Sequence, residues 1–87
     1  MSEMTLAWWL ADTTRECFLP EDTLDVYAVL GAGDTYAAVH QILQIAVQKN
    51  HVLPRNLLVV LGLWLDSYVG EPHEQTIRRY LSSLICV

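Results

Sequence analysis

Basic residues are scarce in this sequence of 87 residues: lysine and arginine together number 5, against 10 aspartates and glutamates. Proteins that bind nucleic acid neutralise several phosphates with cations, so this scarcity argues against nucleic acid as the main partner. Long apolar runs are also lacking. The longest, Leu57 to Leu65, falls far short of the roughly 20 residues of a membrane-spanning helix. We therefore expect no membrane segment.

Cysteine is nearly absent as well, with Cys17 and Cys86 as its two occurrences. Two cysteines do not make a disulfide framework, and the opening residues MSEMTLAWWL lack the basic stretch and apolar run of a secretory signal. We expect a cytoplasmic protein with reduced thiols.

Patterns typical of catalysis or metal binding are missing too. His40, His51 and His73 are far apart in sequence, whereas zinc ligands usually come in close pairs. Neither cysteine has a neighbour that would activate its thiol. The expectation is no catalytic residue, no metal, no cofactor and no small-molecule substrate, and hence a protein that is not an enzyme.

Apolar residues, by contrast, are abundant: 53% of the chain is hydrophobic and 17% is charged. A chain of this length forms one domain, residues 1–87, and buries only about 60% of the surface that its unfolded form exposes. The apolar surplus therefore needs a partner surface, and a second copy of the chain is the simplest one. We expect a homodimer.

The acidic residues are concentrated at one end. Residues 1–34 carry seven acids and the single base Arg15. Such a segment attracts basic protein surfaces. The adjacent Trp8 and Trp9 cannot point the same way on a helix, so one of them is expected to be exposed. The predicted partner-binding residues are Trp8, Glu21, Asp22 and Asp25.

Apolar residues recur at helical spacing, which predicts an all-α fold of four to five short helices forming a dimeric bundle. After a first segment over 3–18, Pro20 begins a short helix whose apolar side would include Leu24, Tyr27 and Leu30. The predicted core helices span 35–49, 54–69 and 72–85. Asp34 is a suitable N-cap for the first of these, and Asn50 and Gly70 suit helix ends.

The helix over 54–69 is apolar on every side, so it should be covered all round, and we place it at the centre of the dimer. Gly62 disfavours a helix, and its presence there suggests a close backbone contact. The predicted dimer interface comprises Leu57, Leu58, Leu61, Gly62, Trp64, Leu65, Tyr80 and Leu84.

Two short motifs have a functional and a structural interpretation. Gly31 to Thr35, GAGDT, resembles the motif of ribokinase-like sugar kinases in which the Asp is the base, but the chain has no strand pattern to build such an enzyme. We interpret it as a turn followed by an N-cap. Thr76 to Leu81, TIRRYL, resembles the recognition helix of winged-helix repressors, where Arg78 and Arg79 would contact nucleic acid. The alternative is a solvated arginine face that pairs with nearby acids.

A wider set of hydrophobic positions is similar to the YmgB/AriR family of small helical regulators. These positions are Ala28-Val29-Leu30-Gly31, Ala38-Val39, Ile42-Leu43, Asn56-Leu57-Leu58, Leu61, Leu65-Asp66, Ile77-Arg78 and Leu81. GAGDTYA stands as an insertion relative to the family pattern. The resemblance implies a homodimer that regulates or connects signalling proteins in biofilm or stress responses.

The leading hypothesis is therefore a non-enzymatic regulatory or adaptor protein that acts through protein–protein interaction. Two alternatives remain open at this point. One is a DNA-binding transcriptional regulator that uses Arg78 and Arg79, and the other is an antitoxin, immunity protein or phage-encoded inhibitor.

Overall fold

The all-α prediction is confirmed. A computed structural model describes residues 2–84, and over that range the chain forms five α-helices and no strand. They are α1 (Glu3–Thr14), α2 (Pro20–Gly31), α3 (Thr35–Gln48), α4 (Arg55–Leu65) and α5 (Glu74–Ser83). Two 3-10 turns, Arg15–Cys17 and Asp66–Tyr68, extend α1 and α4. No helix in the described range is long and apolar enough to cross a membrane.

The helix ends follow local sequence signals. Pro20 is the first residue of α2, and the Asp22 carboxylate accepts a hydrogen bond from the Leu19 amide at 3.0 Å. Asp34 caps α3, because its Oδ1 accepts a hydrogen bond from the Ala37 amide at 3.2 Å. Asn50 follows α3 with φ 52°, which is the left-handed conformation expected of it. The GAGDT segment is thus a turn and an N-cap.

Two of the predicted helices have wrong boundaries. The helix predicted over 54–69 stops at Leu65 and tightens into the 3-10 turn, while Pro54 precedes its first turn. The helix predicted over 72–85 begins at Glu74, because His73 has φ 71°, and this left-handed backbone prevents α5 from extending back to Pro72. The last residue of that prediction, and Cys86, lie outside the described range.

The central helix is α3, not α4. It packs against α1, α2 and α5, whereas α4 packs against α5 and one edge of α1. Its buried residues are Thr35, Ala38, Val39, Ile42, Leu43, Ile45 and Ala46. Residues 54–69 were predicted to lie at the centre of a dimer, and the packing within a single chain does not test that placement. High hydrophobicity made α4 the candidate, but only one side of it is covered by the chain.

Half of the predicted dimer interface belongs to the chain's own core. Leu57, Leu61 and Leu65 are fully buried, and Leu84 is 3% exposed, so these four side chains have no surface to offer a partner. The remaining predicted interface residues, Leu58, Gly62, Trp64 and Tyr80, are half-buried. Among residues 2–84, nothing other than the backbone of α4 itself lies within 4 Å of a Cβ built on Gly62, so these residues do not make the close contact predicted there.

Candidate binding face

The helix α2 turns an apolar residue outward. Its buried side consists of Val26 and Leu30, whereas Leu24 is 74% exposed and Tyr27 is half-buried. The prediction that Leu24 belongs to the packed side is wrong. Val26 and Leu30 are four residues apart and mark the middle of the stripe that α2 buries, with Tyr27 and Val29 half-buried beside them. Leu24 lies well outside this stripe.

An aromatic pair lies beside Leu24. The ring centroids of Trp8 in α1 and Tyr27 in α2 are 5.2 Å apart, within the range of favourable aromatic contacts. Trp8 is 39% exposed, while Trp9 is half-buried and packs against the core. The two tryptophans therefore point in different directions, as expected, and Trp8 is the exposed one.

Carboxylates border this apolar surface. Glu21 and Asp25 are exposed on α2 within four residues of Leu24, and Asp12 is exposed on α1 one turn after Trp8. None of the three forms an ion pair with another residue of the described range. We call the surface made by Trp8, Asp12, Glu21, Leu24, Asp25 and Tyr27 the acidic-aromatic face.

The structure leaves three of the four residues predicted to bind a partner exposed: Trp8, Glu21 and Asp25. The fourth, Asp22, is half-buried and uses its carboxylate to cap α2. Leu24 was missed as a surface residue, whereas Tyr27, which was also predicted on the apolar side, is half-buried against the core and contacts Trp8. Their spacing to Leu30 is helical, so the pattern placed all three on the core side of α2.

The two arginines predicted to contact nucleic acid have different surroundings. The Arg78 guanidinium donates hydrogen bonds to Glu74 and, at 3.0 Å, to Asp66. These bonds, first that to Asp66 and then that to Glu74, raise the pKa of Arg78. Arg79 is exposed. Arg78 therefore balances acids of its own chain, including the buried Glu74, rather than presenting a free charge.

Two distant histidines meet where α3 contacts the start of α5. The ring centroids of His40 and His73 are 5.1 Å apart, and Tyr80 lies 5.8 Å from His40. Burial, and next the charge of His73, lower the pKa of His40. Within residues 2–84 no group of three or more histidine, cysteine, aspartate or glutamate side chains is placed to hold a metal ion.

A second polar cluster ties the start of α1 to the end of α4. Glu3 Oε1 accepts hydrogen bonds from Trp64 Nε1 at 3.1 Å and from the Tyr68 hydroxyl. The bond to Glu3 is the main cause that raises the pKa of Tyr68, to about 12. Tyr36 packs against both Trp64 and Tyr68. These contacts engage one carboxylate oxygen of Glu3 within the chain.

The thiol of Cys17 is not activated. Cys17 is half-buried, and burial followed by the charge of Glu16 raises its pKa. A raised pKa keeps the thiol protonated and a poor nucleophile. The Cys17 environment therefore supports a packing role, in agreement with the sequence-based interpretation.

No protein-family model matches the chain, and the searches of curated proteins and of solved structures return no match either.

Proposed function

We propose that this chain is a non-enzymatic binding protein, of the regulator or adaptor kind, that docks a basic protein surface on its acidic-aromatic face. The observation that carries the proposal is Leu24, 74% exposed and one helical turn before Tyr27, whose ring contacts that of Trp8. Exposed apolar residues within a polar rim are typical of protein interaction sites. Aromatic side chains, moreover, often contribute most of the binding energy at such sites.

The charges on this face favour a basic partner. Glu21 and Asp25 lie four residues apart on α2, where like charges repel by a few tenths of a kcal/mol. The net charge of the chain is −5, and residues 1–34 contain one base, Arg15. A partner cation placed between the two carboxylates relieves their repulsion. The charge of the whole face accelerates the encounter and orients the partner.

Direct binding to DNA has less support. Arg78 is hydrogen-bonded to two carboxylates, and the charge of the chain as a whole is negative. The Glu74 and Asp66 carboxylates offset the charge of Arg78, so a phosphate gains less attraction from it than from an unpaired arginine. A regulator and an inhibitor such as an antitoxin share the docking chemistry proposed here, and the identity of the partner distinguishes them.

The proposal is tested by capturing binding proteins from a lysate of the native cell. The baits are the immobilised wild-type chain and three variants with single substitutions. Glu21→Lys and Leu24→Glu alter the acidic-aromatic face, whereas Glu71→Lys makes the same charge change at an exposed site outside it. We expect a basic protein, identified by mass spectrometry, that is retained by wild type and Glu71→Lys and lost from the other two. Its release should increase with salt.

The proposal is wrong if the captured protein is bound equally by all four baits, or if it is acidic and insensitive to salt. Circular dichroism of each bait confirms that the substitutions leave the helices intact. Both changed positions on α2 are exposed, so neither is expected to unfold the chain.

A further inference from the structure

Two side chains of α3 hold the segment that precedes α5. The Tyr36 hydroxyl donates a hydrogen bond to the Pro72 carbonyl at 2.6 Å. One helical turn later, the ring of His40 contacts that of His73, with their centroids 5.1 Å apart. Tyr36 and His40 are four residues apart and therefore lie on the same side of α3. We call Tyr36, His40, Pro72 and His73 the α5 docking contact.

The backbone at His73 is held in a disfavoured conformation. Its φ is 71°, in the left-handed region, and Glu74 then begins α5. A residue with a Cβ adopts this region at a cost, and such strain persists where surrounding contacts maintain it. Loss of the α5 docking contact would therefore allow this backbone to relax.

A charge on His40 has no opposite charge to face. His40 is half-buried, and the rings that face it from α5 and the segment before it are those of His73 and Tyr80. Burial, and next the charge of His73, lower the pKa of His40. Within the described residues, α1, α2 and α4 contribute no charge to this shift. A proton on His40 is thus opposed by a proton on His73 and compensated by no carboxylate.

The surroundings of His73 are more polar. His73 is exposed and lines a surface depression together with Glu71, Glu74 and Arg79. The Glu74 carboxylate is hydrogen-bonded to Arg78, whereas Glu71 is exposed to solvent. Solvent and Glu71 screen a charge on His73, and the half-buried His40 lacks both. Placing protons on both rings is therefore the unfavourable step.

We propose that the α5 docking contact is a pH-sensitive switch: when His40 and His73 both carry a proton, residues 72–74 separate from α3 and α5 opens locally. The two charged rings repel each other, and the Tyr36–Pro72 hydrogen bond alone then holds the segment. Opening exposes Ile77, which is fully buried in the closed form. The acidic-aromatic face lies on α1 and α2, so this switch does not rest on the proposed function.

The test is native-state amide hydrogen exchange in low concentrations of urea, at about pH 7.5 and about pH 5.2. Histidine titrates between these values, whereas carboxyl groups titrate near pH 4. The chains compared are wild type, His40→Gln, His73→Asn and the control His51→Gln. Asn tolerates the left-handed backbone of position 73. His51 lies near Glu16 and takes no part in the α5 docking contact.

In wild type we expect α5 amides to exchange through an opening that urea hardly accelerates, and α3 amides to exchange through global unfolding. Acidification should raise the ratio of open to closed α5 by about three- to 20-fold. The upper limit holds for a histidine that titrates near pH 6.5 when open and binds no proton when closed. This increase should persist in His51→Gln, shrink in His73→Asn and disappear in His40→Gln.

The inference is overturned if α5 and α3 amides depend equally on urea at the lower pH, because acid then promotes global unfolding alone. It is equally overturned if the pH effect on α5 keeps its wild-type size in His40→Gln or His73→Asn, or disappears in His51→Gln. Should His40→Gln fail to fold, the result for His73→Asn decides. Partner capture should be the same for His73→Asn as for wild type, so a failure of the switch is distinguishable from a failure of partner binding.

Discussion

At the scale of single residues, burial distinguishes leucines that look alike in the sequence. Leu61 and Leu63 belong to the same apolar run of α4, yet Leu61 is fully buried among core residues and Leu63 is 66% exposed. Helical geometry turns residues two apart to nearly opposite sides. One leucine therefore stabilises the monomer, and the other remains available to a partner.

We predict that Leu61→Ala lowers the free energy of unfolding by about 3 kcal/mol, because it leaves a cavity in the core. Leu63→Ala, the matched control two residues away, should change it by less than about 0.5 kcal/mol. Urea denaturation at a concentration low enough to keep the chain monomeric measures both values. Equal losses in the two variants would contradict the assignment of Leu61 to the core of a single chain.

His40 provides a second prediction at this scale. Burial and the neighbouring His73 lower the pKa of His40 in the folded chain, while an unfolded histidine titrates near pH 6.5. As the pH falls, His40 of the unfolded chain therefore binds a proton before His40 of the folded chain does. The stability present above about pH 6.5 is then lost as the pH falls toward the lower folded pKa.

The measurement is a titration of the His40 ring by nuclear magnetic resonance in wild type and in His73→Gln. We expect a pKa for His40 below its ordinary value in wild type, and a shift back toward that value when the His73 charge is removed. The dependence of the unfolding midpoint on pH should be weaker in His40→Gln. A His40 pKa above the ordinary value would contradict this description of the α3–α5 contact.

At the scale of elements, α4 combines high hydrophobicity with one-sided packing. Gly62 lies inside this helix, and apart from the backbone of α4 itself nothing in the described residues lies within 4 Å of a Cβ built at that position. Gly70, after the 3-10 turn, has φ 91°, a conformation that other residues adopt only with strain. One glycine is thus replaceable within the monomer, and the other is required by the backbone.

We predict that Gly62→Ala raises the free energy of unfolding by about 1 kcal/mol, because alanine favours the helix by that amount. Gly70→Ala should lower it by about 1 kcal/mol because of the left-handed backbone. Thermal or urea unfolding at low concentration compares the two. If Gly62→Ala destabilises the monomer, a neighbouring group must approach α4 more closely than the structure shows.

At the scale of the whole molecule, the sequence predicted the helices better than their arrangement. Helical spacing predicted four to five helices, and Pro20, Asp34 and Asn50 correctly marked the start of α2, the start of α3 and the turn after α3, since these signals act locally. The central place of α3 was missed. A pattern of apolar residues shows which side of a helix can be buried, but not how much of the chain covers it.

The candidate face was predictable in part for the same reason. The acids Glu21 and Asp25 and the exposed tryptophan follow from composition and helix geometry. Leu24 was assigned to the core because its exposure depends on how α2 docks on α3, and the meeting of His40 with His73 likewise depends on tertiary contact. The site that the structure adds to the prediction is thus the apolar part of the acidic-aromatic face.

The most direct test of the central claim, that this face binds basic partners, is amide chemical-shift mapping. The probe is a helical peptide with lysines on one side and leucines on the other, titrated at low ionic strength. We predict that the largest changes occur in α1 near Trp8 and in α2 from Glu21 to Ala28. Largest changes in α4 or α5, or no changes at all, would contradict the account.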